Sequence, residues 1–155
     1  MKVITYILFF FFSFNVAAQQ TDYAPDFEMK FQDGSTARLS DYKDHVVYIS
    51  FWASWCGPCI KNFKKYKEIR SQLASEGIVL LNVSIDDSAE KWKEAVKKLD
   101  LNGVNTIVPK DSLFQKYPIS SIPLYEIIGK DGRFRYLTGE ANRDIIGQFK
   151  SWVSE

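Results

Sequence analysis

The chain has 155 residues, 46% of them apolar and 25% charged, and carries a formal net charge of +1. That length suits one domain with a full apolar core. The balanced charge argues against a nucleic-acid surface, which needs a basic excess on one face, and two cysteines are too few for a stapled disulfide framework.

Met1 to Ala18 reads as a secretory signal peptide. Lys2 is a minimal positive start, Val3 to Phe14 is almost wholly apolar, and Val16-Ala17-Ala18 offers small residues for cleavage before Gln19. An uncleaved anchor is the alternative, although the apolar run falls short of the ~20 residues of a spanning helix. The mature domain is then 19–155, neutral in charge, with a folded core from about Ala24. Export places the protein where disulfides persist.

Phe27-Glu28-Met29-Lys30-Phe31 alternates as a half-buried strand does. Asp33-Gly34 signals a turn, and Thr36 to Leu39 can pair back as a hairpin. Ser40 to Asp44 is a polar connection. His45, the only histidine, stands at the entrance of the next strand and reads as a surface residue.

Val46 to Phe51 is rich in β-branched and aromatic residues and predicts a strand. It runs through Trp52 to Trp55 into Cys56-Gly57-Pro58-Cys59, where the apolar period changes to that of a helix. A Cys-x-x-Cys pair at a helix start points to redox chemistry. Unpaired amides and the partial positive charge of a helix N-terminus favour a thiolate at Cys56, whose pKa is expected below the free value of ~8.5. Pro58 is tolerated in the first turn. Cys59, one turn on, is within disulfide reach. Cys56 is expected to be the exposed nucleophile and Cys59 the more buried resolving thiol. Two other readings of the pair remain. One is half a zinc site, which needs two further ligands that one histidine and no other cysteine do not supply. The other is a structural disulfide closing a very short loop.

Ile60, Phe63, Tyr66, Ile69 and Leu73 recur at helical spacing, and Lys61, Lys64, Lys65, Lys67 and Arg70 are assigned to the solvated face. Gly77 suits the helix end. Ile78 to Ile85 predicts a buried strand parallel to the first. Asp87 with Glu90 resembles a capping box, followed by a helix with Trp92, Ala95, Val96 and Leu99 inward. Val104 to Val108 is a short strand and Asp111 to Tyr117 a short helix stopped by Pro118. Leu124 to Ile128 and Arg133 to Leu137 form a hairpin about Lys130-Asp131-Gly132. Ile145, Ile146, Phe149, Trp152 and Val153 mark a last amphipathic helix.

The string Phe51-Trp52-Ala53-Ser54-Trp55-Cys56-Gly57-Pro58-Cys59 resembles the active site of the thioredoxin superfamily, and the similarity runs from about Ala24 to the C-terminus. The flanks resemble the exported thiol-disulfide oxidoreductases similar to ResA and TlpA. The resemblance implies an α/β thioredoxin-like fold, a central mixed β-sheet flanked by helices, with an N-terminal β-hairpin extension. It implies Cys56 and Cys59 as catalytic residues, and Trp55, Gly57, Pro58, Ile122 and Pro123 as substrate contacts, with Pro123 in the position of the family's cis-proline. No cofactor or metal is implied beyond the redox-active disulfide. Partners would be protein thiols and disulfides, with a membrane thiol reductase recharging a monomeric periplasmic protein, and targets could include apocytochromes c. The Gly-Pro pair suggests a reductant.

Three positions depart from the family pattern. Ser50 stands where thioredoxins bury an Asp, with Leu80 read as the position of its usual Lys partner. Asn62 stands where ResA-like proteins often carry Glu, and Lys64 replaces a common Pro. Water or a more distant carboxylate such as Glu126 is then expected to relay the proton of the buried thiol, and Ser50→Asp to accelerate turnover. Two alternatives to a reductase remain: a thiol peroxidase of the peroxiredoxin type, whose Thr three residues before the reactive Cys is here Ala53, and a non-catalytic module binding extended peptides beside Pro123.

Overall fold

In the computed structural model, residues 23–117 and 119–137 are described. The expected signal peptide, Pro118 and the last helix lie outside the described residues.

The alternating segment at the start forms β1 (Glu28–Phe31), which turns at Asp33-Gly34 and pairs antiparallel with β2 (Thr36–Arg38), as expected. The polar connection begins with a 3₁₀ turn over Leu39–Tyr42. The β-branched run becomes β3 (Val47–Trp52), buried at every residue. Such a strand needs cover on both faces. The helix after the cysteines is bent into α1 (Gly57–Lys65) and α2 (Lys67–Ser75). Backbone bonds from Tyr66 N to Asn62 O (2.9 Å) and from Arg70 N to Tyr66 O (3.0 Å) carry the ladder through the bend.

Next come β4 (Val79–Ser84), α3 (Ala89–Leu99), β5 (Val104–Ile107) and α4 (Lys110–Phe114). The cap of α3 is Ser88, whose hydroxyl accepts from Lys91 N, rather than the expected Asp87. A serine hydroxyl one residue closer meets the free amide of the first turn. The hairpin β6 (Leu124–Ile128) and β7 (Phe134–Leu137) follows.

The sheet order is β2-β1-β5-β4-β3-β6-β7, with β3, β4 and β5 parallel and the other pairings antiparallel. This is the mixed sheet that the resemblance implies. The N-terminal hairpin is not a free flap, because β1 pairs with β5 and lengthens the sheet.

Two apolar clusters cover the sheet. Trp92 and Val96 of α3 join Met29, Ile49, Phe51 and Val83 in the larger one. Leu73 of α2 joins Tyr48, Leu80, Tyr125 and Ile127 in the smaller. Alternation along the strands separates the two faces.

Candidate functional site

The cysteine turn forms where β3 leaves the sheet. Cys56 is the N-cap of α1 with an extended backbone, and Pro58 lies in the first turn. Cys56 and Cys59 form a disulfide with Cα atoms 5.3 Å apart. The Cys59 N–H donates to Cys56 Sγ at 3.2 Å, so the sulfur serves as the cap acceptor. Cys59 is 1% exposed, as a resolving thiol should be, but Cys56 is also buried, at 4%. The expected exposed nucleophile is therefore corrected. In the disulfide state only an edge of Cys56 reaches solvent, because both sulfurs sit in the larger apolar cluster.

The residues beside it supply the exposure. Trp55 is 60% exposed, and Gly57 and Pro58 are exposed too. The ring of Trp55 is steadied by Lys110 of α4, whose Nζ lies 5.5 Å from the ring centroid while ion-paired with Asp87 at 2.9 Å. Sequence reasoning missed that cation, which is 55 residues away in the chain.

The Ile122–Pro123 bond is cis. Because Phe51 pairs with Leu124, Pro123 comes level with Trp52, at the end of the sheet where the cysteine turn begins. Ile122 packs on the cluster that holds both cysteines. The structure thus brings Cys56, Cys59 and Ile122 onto one apolar cluster, with Pro123 at the same end of the sheet.

Asp86, also missed, anchors the turn. It is buried and accepts from Ser54 N (2.8 Å), Ser54 Oγ (2.7 Å) and Ser84 Oγ (2.6 Å). A carboxylate holding three donors ties the residues just before Cys56 to the end of β4.

Ser50 lies in a polar row across the sheet, and Asn62 of α1 bonds to one end of it. Across the sheet, Ser50 stands beside Asn82 on β4 and Tyr125 on β6, and Asn82 stands beside Asn105 on β5. The residue opposite Ser50 is therefore Asn82, not Leu80. Leu80 pairs with Tyr48, because parallel strands keep the two-residue stagger along both chains. Asn62 Nδ2 donates to Tyr125 Oη at 3.1 Å.

Arg70 covers the row. Assigned to the solvated face, it is instead 3% exposed. Its Nη1 donates to Ser50 Oγ (3.2 Å), its Nη2 to Asn82 Oδ1 (2.7 Å) and Asn102 O (3.2 Å), and its Nε to Asn102 Oδ1 (3.3 Å). The guanidinium carbon lies 5.0 Å from the Phe63 ring centroid and 5.8 Å from that of Tyr48. Arg70 follows Phe63 by seven residues and precedes Leu73 by three, so its place on the inward stripe was readable from spacing. Charge alone assigned it outward. An Asp at position 50 would meet this guanidinium and stay ionised, which argues against Ser50→Asp as a proton carrier.

Glu126 is fully buried, with neither oxygen hydrogen-bonded. Burial pushes its carboxyl up to about 8. Its neighbour Tyr125 faces Asn62 of α1, so Glu126 points to the opposite face of the sheet. It does not stand beside the Ser50 row. His45 is a surface residue, as expected, with its ring nitrogen near Lys43 O at 3.1 Å. Among the described residues no cluster of three metal-ligating side chains occurs.

The mixed sheet and a Cys-x-x-Cys disulfide capping the first crossover helix define a thioredoxin-like thiol-disulfide oxidoreductase. The chain belongs to the AhpC/TSA family, whose family model matches residues 21–137. It is similar to the thiol-disulfide oxidoreductase ResA of Geobacillus thermodenitrificans, with 25% identity over 139 residues, 89% of this chain and 80% of the relative. It is similar also to ResA of Bacillus subtilis, with 24% identity over 131 residues, 84% and 73% of the two chains. A solved structure from Bacteroides vulgatus, provisionally described as a thiol-disulfide oxidoreductase, matches with a TM-score of 0.66 at 31% identity, covering 72% of this chain and 79% of that one.

Proposed function

We propose that this protein is an exported reductant of protein disulfides, with Cys56 as the attacking thiol and Cys59 as the resolving thiol. The observation that carries the assignment of the attacking thiol is the capped sulfur, while the direction of electron flow rests on the Gly57-Pro58 pair between the cysteines, which resembles thioredoxin's. Cys56 Sγ takes the Cys59 N–H at the N-terminus of α1, where a thiolate is favoured over a thiol. The reduced pair attacks a substrate disulfide through Cys56 and displaces one substrate thiolate. Cys59, once deprotonated, then attacks Cys56 Sγ, re-forms the Cys56–Cys59 bond and releases the second substrate thiolate. Two electrons pass to the substrate. A membrane thiol reductase would restore the dithiol.

Trp55, Gly57 and Pro58 would meet the substrate from the exposed side, and Ile122 and Pro123 would flank an extended segment. No cofactor takes part. The protein would work as a monomer in the periplasm after cleavage behind Ala18, and apocytochromes c are among the targets its resemblance suggests.

The test uses the mature protein. Cys56→Ser should abolish reduction of a protein disulfide, and Cys59→Ser should accumulate mixed disulfides with partners in cells. A Cys59→Ser protein that traps nothing, together with a reduction potential near the strong-oxidant end of ~−120 mV, would overturn the reductant role. Peroxide consumption by the wild type would instead favour a thiol peroxidase.

A further inference from the structure

We propose that Arg70 is a positioning residue of the redox site: a buried positive charge, without a carboxylate partner among the described residues, that holds reduced Cys56 as the thiolate and draws the disulfide–dithiol equilibrium toward the reduced form, making the pair a milder reductant than it would be without this charge. The inference rests on the reading of Cys56 as the attacking thiol.

Four donor contacts and two ring faces satisfy the guanidinium, and every acceptor is neutral: Ser50 Oγ, Asn82 Oδ1, Asn102 Oδ1 and Asn102 O. No carboxylate among the described residues bonds to it. A guanidinium keeps its proton in proteins, so burial does not discharge it. Among the described residues, its titratable and charged neighbours do not cancel it either. Tyr48 on β3 is held neutral, its hydroxyl pushed up by burial. Tyr125 on β6 carries no charge as a phenol. Lys64 and Lys67, which line the mouth beside Arg70, are cations. Among the described residues Asp100 is the only acid lining that mouth, and it is exposed and paired with Lys67 at 3.6 Å.

The charge is close enough to matter. Phe63, against which the guanidinium stacks at 5.0 Å, lies one turn after Cys59 on α1. Phe63 shares the larger apolar cluster with both cysteines, so the charge lies on the order of 10 Å from the sulfurs, across apolar side chains. A unit charge at that distance, at an effective dielectric near that of partly buried pairs, favours a nearby anion about tenfold. Reducing the disulfide takes two electrons and one proton at neutral pH if one sulfur remains a thiolate. A cation beneath the pair stabilises that product and not the neutral disulfide.

The experiment uses the mature protein with two small-molecule probes, so it needs no protein partner. Iodoacetamide alkylation of reduced Cys56 across pH 5–8 reports the thiolate, and equilibration with glutathione reports the redox balance. Arg70→Met should slow alkylation at pH 6 about tenfold, shift the profile to higher pH, and move the glutathione equilibrium about tenfold toward the disulfide. Arg70→Lys should recover most of both effects. Ser50→Asp, which sets an anion against the guanidinium and leaves Arg70 in place, should act in the same direction as Arg70→Met and decides the matter if Arg70→Met does not fold. A folded Arg70→Met or Ser50→Asp protein with the wild-type alkylation profile and glutathione equilibrium would overturn the proposal. Failure to trap protein partners would instead count against the reductant reading and leave these two measurements standing.

Discussion

Glu126→Met should stabilise the protein, and by an amount that depends on pH. The folded carboxyl loses its proton near pH 8, against 4.5 for an ordinary glutamate, because burial disfavours the anion and neither oxygen has a partner. Between those pH values the folded chain holds one proton more than the unfolded chain. Stability therefore falls as pH rises through that window, by about 1.4 kcal/mol per pH unit. At pH 7 the wild type has lost roughly 3 kcal/mol relative to pH 4.5 through this group alone. Methionine has similar length and no polar atoms, and it sits among Ile49 of the neighbouring strand and the larger apolar cluster. The variant should match or exceed the wild type at pH 5 and exceed it by about 3 kcal/mol at pH 7, a rise in Tm of roughly 6–12 °C. Urea unfolding of the oxidised protein at pH 5, 6, 7 and 8 measures both curves. Parallel curves for the two proteins would refute the reasoning, since they would mean that Glu126 does not change its proton on folding. The tyrosines offer a second readout. Tyr117 and Tyr136 are pushed up chiefly by burial and further by a charge on Glu126, so their alkaline titration should move to lower pH in the variant.

Asp86→Ala removes the acceptor of three hydrogen bonds at the turn before Cys56 and should cost about 3–5 kcal/mol, measured by urea unfolding of the oxidised protein. A loss below ~1 kcal/mol would show that water replaces the carboxylate. Gly103 has a φ of +95°, and a Cβ there would come within 2.5 Å of Leu80 O. Gly103→Ala should therefore destabilise by several kcal/mol, at least about 2, whereas Gly57→Ala, with open space at the start of α1, should lie within about 0.5 kcal/mol of the wild type. Thermal unfolding compares the pair directly, and equal Tm values would contradict the crowding argument.

Local chemistry made much of this protein readable from its residues. The alternation of Phe27 to Phe31, the Asp33-Gly34 turn, the β-branched run into Trp52 and the helical stripes through Phe63, Leu73, Trp92 and Val96 each declare their element, because periodicity and turn conformation are properties of a few neighbouring residues. The same holds for Cys56 and Cys59, three apart at a helix start. Even the burial of Arg70 was present as spacing, and was overridden by the ordinary rule that charged side chains face water.

What neighbours in sequence could not decide is what meets across the sheet. The pairing of Ser50 with Asn82 rather than Leu80 depends on a register set by two strands about thirty residues apart. The grip of Asp86 on Ser54, the cation of Lys110 over Trp55 and the isolation of Glu126 on the far face arise only when β4, α4 and β6 are assembled around β3. A side chain's own sequence window determines which way it can point. Whether that direction ends in water, in a ring of neutral acceptors, or in a dry cluster is decided by the elements packed against it, and so is the charge it carries.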